Sequence, residues 1–166
     1  KMVIVELSQS HSELLYSYQR ILANRYQLHW FLNSAFLSEV SLEGEQTSFT
    51  GKLNLLQIFK LAQAIKASGA SKVIINTAEG KAAKWLSFFL KFSLPVYGLI
   101  HNAQKITSGS TTKSILRNLR GVFFISEFIK NNHGPELKIP SMYFYPCYFK
   151  EVKAYHCDKK VISIVG

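Results

Sequence analysis

An α/β fold of the Rossmann-like, doubly wound kind, with a parallel sheet and helices on both faces, is predicted by three observations. Short runs rich in Val, Ile and Phe alternate with stretches of helical period from the start of the chain to about residue 145. Those runs are continuously apolar, not alternating, as befits strands of a parallel sheet covered on both sides. At 166 residues, 48% hydrophobic and 18% charged, the chain is large enough to bury about 70% of its unfolded surface around one core.

The first run, Met2-Val3-Ile4-Val5-Glu6-Leu7, reads as a strand and is followed by polar Ser8-Gln9-Ser10. A helix follows, with apolar positions at Leu14, Leu15, Tyr18, Ile21 and Leu22 and with Ser10 and Glu13 spaced as a capping box. Gln27 to Leu32 is a second strand, whereas Phe36 to Thr50 is polar, mixed and without a readable period. From Leu53 to Ser68 the spacing of Leu55, Ile58, Phe59, Ala62 and Ile65 predicts a helix, and Gly69 stands where a left-handed residue would close it. Strands are then expected at Lys72–Asn76, Pro95–Ile100, Gly121–Ile125 and Ser141–Tyr145. Helices are expected at about Lys81–Phe92, Thr112–Leu119 and Glu127–Asn132, the last ending at His133-Gly134, with a loop before Ser110.

The division expected is a domain over residues 1–149 and, over 150–166, a linker and the first strand of a second domain. Lys150 to Lys160 is charged and aperiodic, like an interdomain linker, and Val161-Ile162-Ser163-Ile164-Val165-Gly166 opens a fresh buried strand. An unpaired apolar strand invites aggregation, so more chain is expected beyond it. No apolar run reaches the roughly 18–20 residues of a bilayer span, the start lacks a signal-peptide layout, and two cysteines are too few for a disulfide scaffold. A cytoplasmic protein, soluble or peripheral on the inner face of the membrane, is expected. The formal charge of +10 favours anionic partners such as phosphorylated sugars or lipid head groups, or is a dispersed, solvated surface.

Three local patterns stand in a characteristic order. His101-Asn102 follows the Pro95–Ile100 strand directly; Phe124-Ile125-Ser126-Glu127 is a strand ending in serine before a short helix; Ile139-Pro140 precedes a strand that ends at Pro146 before the linker. Together they resemble the GT-B fold glycosyltransferases, in particular the N-terminal domain of the retaining, metal-independent group 1 family. The resemblance covers nearly the whole chain, with two departures. The loop after the first strand, Ser8-Gln9-Ser10-His11, lacks the family's glycines, and Pro146-Cys147-Tyr148 replaces its Pro-Asn-Gly. Close backbone approach to a phosphate is therefore not expected at that loop, and contacts to a sugar are. The resemblance implies transfer of a sugar from a nucleotide-sugar donor to a saccharide or lipid-linked acceptor, without cofactor or metal. It places the donor in a C-terminal domain whose paired glutamates this chain does not contain.

Ligands of open parallel sheets bind at the carboxyl ends of the strands. This selects Ser8, Gln9, Ser10, His11, Thr77, Glu79, Asn102 and Ser126 as acceptor-binding candidates, with His101 and Glu127 as catalytic ones. By resemblance His101 faces the donor sugar, and an imidazole there can bond a hydroxyl or merely a neighbouring carbonyl. Glu79 and Glu127 are candidates for general-base work or for helix-dipole compensation. Ser10 and Ser126 can equally be helix caps and Asn102 a turn residue. Cys147 with His156-Cys157-Asp158 does not have the paired spacing of a structural zinc site, so no metal is predicted.

The helix at 81–92 groups Trp85, Phe88, Phe89 and Phe92 on one side, edged by Lys81, Lys84 and Lys91. That face either contacts an anionic membrane surface or is buried, in part by a second domain. Two other functions stay open: a non-catalytic basic module, for which nucleic acid is a disfavoured partner because no recognition motif is present, and a sugar-nucleotide epimerase of the same architecture.

Overall fold

The computed structural model describes residues 1–8, 11, 13–36, 41–102 and 104–146. Gln9, Ser10, Cys147, the linker and the strand expected after it lie outside the described residues. The elements are β1 (Met2–Glu6), α1 (Glu13–Leu22), β2 (Leu28–Asn33), a 3-10 turn (Ser34–Phe36), β3 (Glu45–Phe49), α2 (Leu55–Ala67), β4 (Lys72–Ile75) and α3 (Gly80–Leu90). They continue with β5 (Val96–Ile100), α4 (Gln104–Ser108), α5 (Ser110–Leu116), β6 (Gly121–Phe124), α6 (Glu127–His133) and β7 (Ser141–Tyr143). All the pairings are parallel, in the order β3-β2-β1-β4-β5-β6-β7. The Rossmann-like, doubly wound α/β class is thus the observed one.

Alternation along the strands divides the core in two. Val3 and Val5 of β1, with Val73 and Ile75 of β4, face a layer made by Ile58, Ala62 and Ile65 of α2, Leu86 and Leu90 of α3 and Ile115 of α5. Met2, Ile4, Trp30, Leu32 and Ile74 face the other way, onto Leu14, Leu15 and Tyr18 of α1. Trp30 is fully buried, and its indole Nε1–H donates to the Glu43 carbonyl at 2.7 Å, so the polar end of a large apolar side chain is satisfied.

Two helix ends follow from sequence. Asn54 and Gln57 form a reciprocal capping box at the start of α2, and Gly69, at φ 72, takes the left-handed conformation just beyond its end. The buried stripe of α2 is Ile58, Leu61, Ala62 and Ile65, so Leu55 and Phe59, expected on that stripe, are exposed beside it. β3 occupies part of the stretch without readable period: it is an edge strand, Glu-Gln-Thr-Ser-Phe, largely exposed and hence not apolar. α4 forms within the loop expected before Ser110.

Charge is distributed unevenly. Between residues 46 and 126, which include α2, α3 and α5, the chain carries eleven lysines and arginines and one carboxylate, Glu79. No helix of the described residues is long and apolar enough to cross a membrane.

Candidate active site

The strand order reverses between β1 and β4: the chain leaves β1 toward β2 and β3 on one side, then crosses back to β4 on the other. In open sheets of this kind the connections on either side of such a reversal diverge, and the expected ligand crevice lies at the carboxyl ends of the strands there. Val5 pairs with Ile75, so the next residues, Glu6 and Asn76, meet at the floor of that crevice.

Glu6 is fully buried. It accepts the Ser8 backbone N–H at 2.6 Å, the Thr77 hydroxyl at 3.1 Å and the Asn76 side-chain amide. Burial pushes its carboxyl above the ordinary range, and the bonds from Ser8, Asn76 and Thr77 offset only part of that rise. Tyr18 stands beneath, its hydroxyl buried without a hydrogen-bond partner; burial and then the charge of Glu6 push its pKa well above that of a free phenol. Thr77, expected to bind acceptor, is thus engaged in holding this carboxyl, as is the backbone of Ser8.

The lip of the crevice is built on Glu79. Its carboxylate accepts the backbone N–H groups of His101 at 3.0 Å and Asn102 at 2.8 Å and pairs with Lys105 Nζ at 2.5 Å. Burial pushes this carboxyl up, but the Lys105 ammonium and the two amides outweigh it, and its pKa lies below the ordinary value. The geometry has Glu79 holding the β5 exit loop, through the His101 and Asn102 amides and Lys105. Gly98 permits this arrangement. A Cβ there would stand 2.6 Å from Ala78 Cβ and 2.7 Å from Leu119 Cδ1, so only glycine lets the β4 exit lie this close over β5.

His101 is fixed twice. Its ring stacks on that of His11, with centroids 3.8 Å apart and planes 18° apart, and its Nε2 lies 3.0 Å from the Asn76 carbonyl. A carbonyl only accepts, so Nε2 carries the hydrogen and Nδ1 is the acceptor nitrogen of the neutral ring. Of the two sequence readings for this histidine, the bond to a neighbouring carbonyl is therefore observed, and it orients the ring. His11 has φ 71, a left-handed conformation that costs a non-glycine residue roughly 1 kcal/mol or more. The loop without glycine thus has one position where glycine would be relaxed, and a histidine holds it against His101.

The remaining candidates separate from this group. Asn102 Oδ1 accepts the Gln104 N–H at 3.1 Å and so opens α4. Ser126 caps α6, its Oγ accepting the Ile129 N–H at 3.2 Å, which is the capping reading. Glu127 stands in the first turn of α6 and faces Tyr143, whose phenol pKa it raises. On α3, Trp85, Phe88 and Phe92 are exposed, while Phe89 packs partly buried against the core. Lys84 lies over Trp85, and Lys91 over Phe88 and Phe92.

Glu6 and Asn76 are the site residues that sequence reasoning did not single out. The available signal was a carboxylate inside the run Val3-Ile4-Val5-Glu6-Leu7 and an amide closing Val73-Ile74-Ile75-Asn76: ionisable or polar groups where both sheet faces are covered need partners. Among the described residues no group of three or more His, Cys, Asp and Glu could hold a metal ion. No protein family model matches the chain, and no curated protein matches it.

Proposed function

We propose that this chain is the acceptor-binding, N-terminal domain of a cytoplasmic glycosyltransferase. The enzyme would move a sugar from a nucleotide-sugar donor to a saccharide or lipid-linked acceptor in surface polysaccharide or glycoconjugate synthesis. The observation that carries this reading is the stacked pair His11 and His101, standing over the crevice at the strand-order reversal. In this reading the bond from Nε2 to the Asn76 carbonyl presents the His101 ring edge in one tautomer to a sugar hydroxyl, and Glu79 fixes the loop that carries it. Positioning of this kind lowers the barrier to transfer through lost orientational freedom that need not be surrendered again in the transition state. Glu127, the other catalytic candidate, stands one strand further along at the start of α6. In this reading the donor is bound by a second domain.

A second reading, a non-catalytic basic module, draws on the one-sided charge between residues 46 and 126. The complete gene product, incubated with labelled nucleotide sugars and lipid-linked or free saccharide acceptors, distinguishes these. Transfer is expected, and His101→Ala should lower it about 100-fold or more with an unchanged circular dichroism spectrum. A gene product ending at Gly166, or full transfer by the His101→Ala variant, overturns the assignment. An epimerised donor with no transfer points to the epimerase, and anion binding with a steep salt slope alone points to the basic module.

A further inference from the structure

Away from the crevice, α2 and α3 share an outer face that their packing on the sheet leaves uncovered. Phe59 meets Phe89 edge-on at 5.4 Å, and Phe89 links in turn to Trp85 at 6.1 Å and Phe88 at 5.8 Å; Phe88 continues to Phe92 at 6.1 Å. The aromatic side chains therefore form one connected band across both helices. Its solvent side includes Leu56, 62% exposed, and Phe92, 80% exposed. An apolar band of this extent on a monomer marks a contact site.

The charges around the band name the contact. Neither α2 nor α3 contains an acidic residue, whereas Lys60, Lys81, Lys84 and Lys91 stand on or beside them. Lys84 and Lys91 lie 4.8–5.6 Å from the rings of the band. A notch of about 190 Å³ between α3 and α5 adds Arg117 and Asn118 to Lys84 and Lys91, at the depth of the aromatic side chains. Connected aromatic rings with cations beside them, on two helices that contain no carboxylate, match the boundary between acyl chains and anionic head groups.

We infer that the α2–α3 face docks on an anionic phospholipid bilayer, with Leu56, Phe88 and Phe92 entering the interface and Lys81, Lys84, Lys91 and Arg117 taking the head-group phosphates. The inference is independent of the sugar-transfer reading. It extends the surface anticipated on α3 alone to α2, and removes Phe89, which packs inward, from the set that enters lipid.

The test is co-sedimentation of the 166-residue chain with vesicles of phosphatidylcholine alone and of phosphatidylcholine mixed with phosphatidylglycerol. Binding to the anionic vesicles only is expected, weakening with salt. Lys81→Gln and Lys84→Gln should each reduce it about fivefold, and Phe92→Ser about tenfold. A Trp30→Phe background leaves Trp85 as sole tryptophan reporter, whose emission should shift to the blue on anionic vesicles. Equal affinity for neutral and anionic vesicles, no affinity for either, or undiminished binding by folded Phe92→Ser and Lys84→Gln variants overturns the inference. So does a concentration-dependent dimer that Phe92→Ser dissolves, which would assign the face to a second copy of the chain.

Discussion

The two halves of the strand-end rim use their polar groups differently. Behind β1, β4 and β5, side chains bond across strands to residues far away in sequence: Asn76 and Thr77 to Glu6, Glu79 to the His101 and Asn102 amides, and His11 to His101 by stacking. Behind β6, Ser126 closes on Ile129 three residues later, and Glu127 bonds Tyr143 of the adjacent β7. A cap completes a helix and needs nothing else. A network spanning three strands holds two carboxylates in opposite states of proton affinity, Glu6 raised and Glu79 lowered, and orients an imidazole between them. The contrast sets an interlocked first half apart from a second half whose bonds complete or join neighbouring elements.

Removing the floor should have the largest effect. Glu6→Ala strands the Ser8 N–H and the Asn76 amide as buried donors, and a loss of about 3 kcal/mol in urea unfolding is expected. Because the native pKa of Glu6 is raised, its stabilisation is complete below the ordinary carboxyl value and is lost as pH rises through the raised one. The cost of Glu6→Ala should therefore be greatest in acid and shrink toward neutrality; a cost that grows with pH would show that Glu6 is held as a stabilised anion. Glu79→Gln should cost about 2 kcal/mol at neutral pH, since it weakens the pair with Lys105 and two charge-assisted bonds. Its native pKa is lowered, so that contribution is present above the ordinary value and disappears as pH falls through the lowered one. Opposite pH slopes for the two variants sharpen the contrast between floor and lip, and slopes of one sign break it. Ser126→Ala, the smallest change, should cost about 1 kcal/mol at every pH and leave the proposed sugar transfer unaltered. Loss of transfer beyond that stability change would move the crevice toward β6.

The strands were legible wherever both faces are buried. Met2–Glu6 and Lys72–Ile75 are continuous apolar runs because helices or neighbouring side chains cover each side. β3 was illegible for the converse reason: at the sheet edge its Glu45, Gln46 and Thr47 face solvent, and no hydrophobic period arises. At the site, the rule of strand carboxyl ends selected Thr77, Glu79, His101 and His11, and these do converge. What each does there depended on pairings at separations of 22 residues for Glu79 with His101 and 70 for Glu6 with Asn76, which no local pattern encodes. Glu79 reads from sequence as a candidate for acceptor binding, general-base work or helix-dipole compensation, and in the fold its carboxylate accepts the distant His101 and Asn102 amides.

β1 precedes the other described strands in the chain, yet it lies inside the sheet and needs both β2 and β4 as neighbours. At roughly 5–20 residues per second, the ribosome takes several seconds to extend the chain from β1 to β5. During that interval an apolar ribbon emerges with one flank unsatisfied, and Glu6 meets its amide only when residue 76 appears. The flank of β1 is therefore closed only when β4 has been made, and the network around Glu6 is completed late although Glu6 itself belongs to β1.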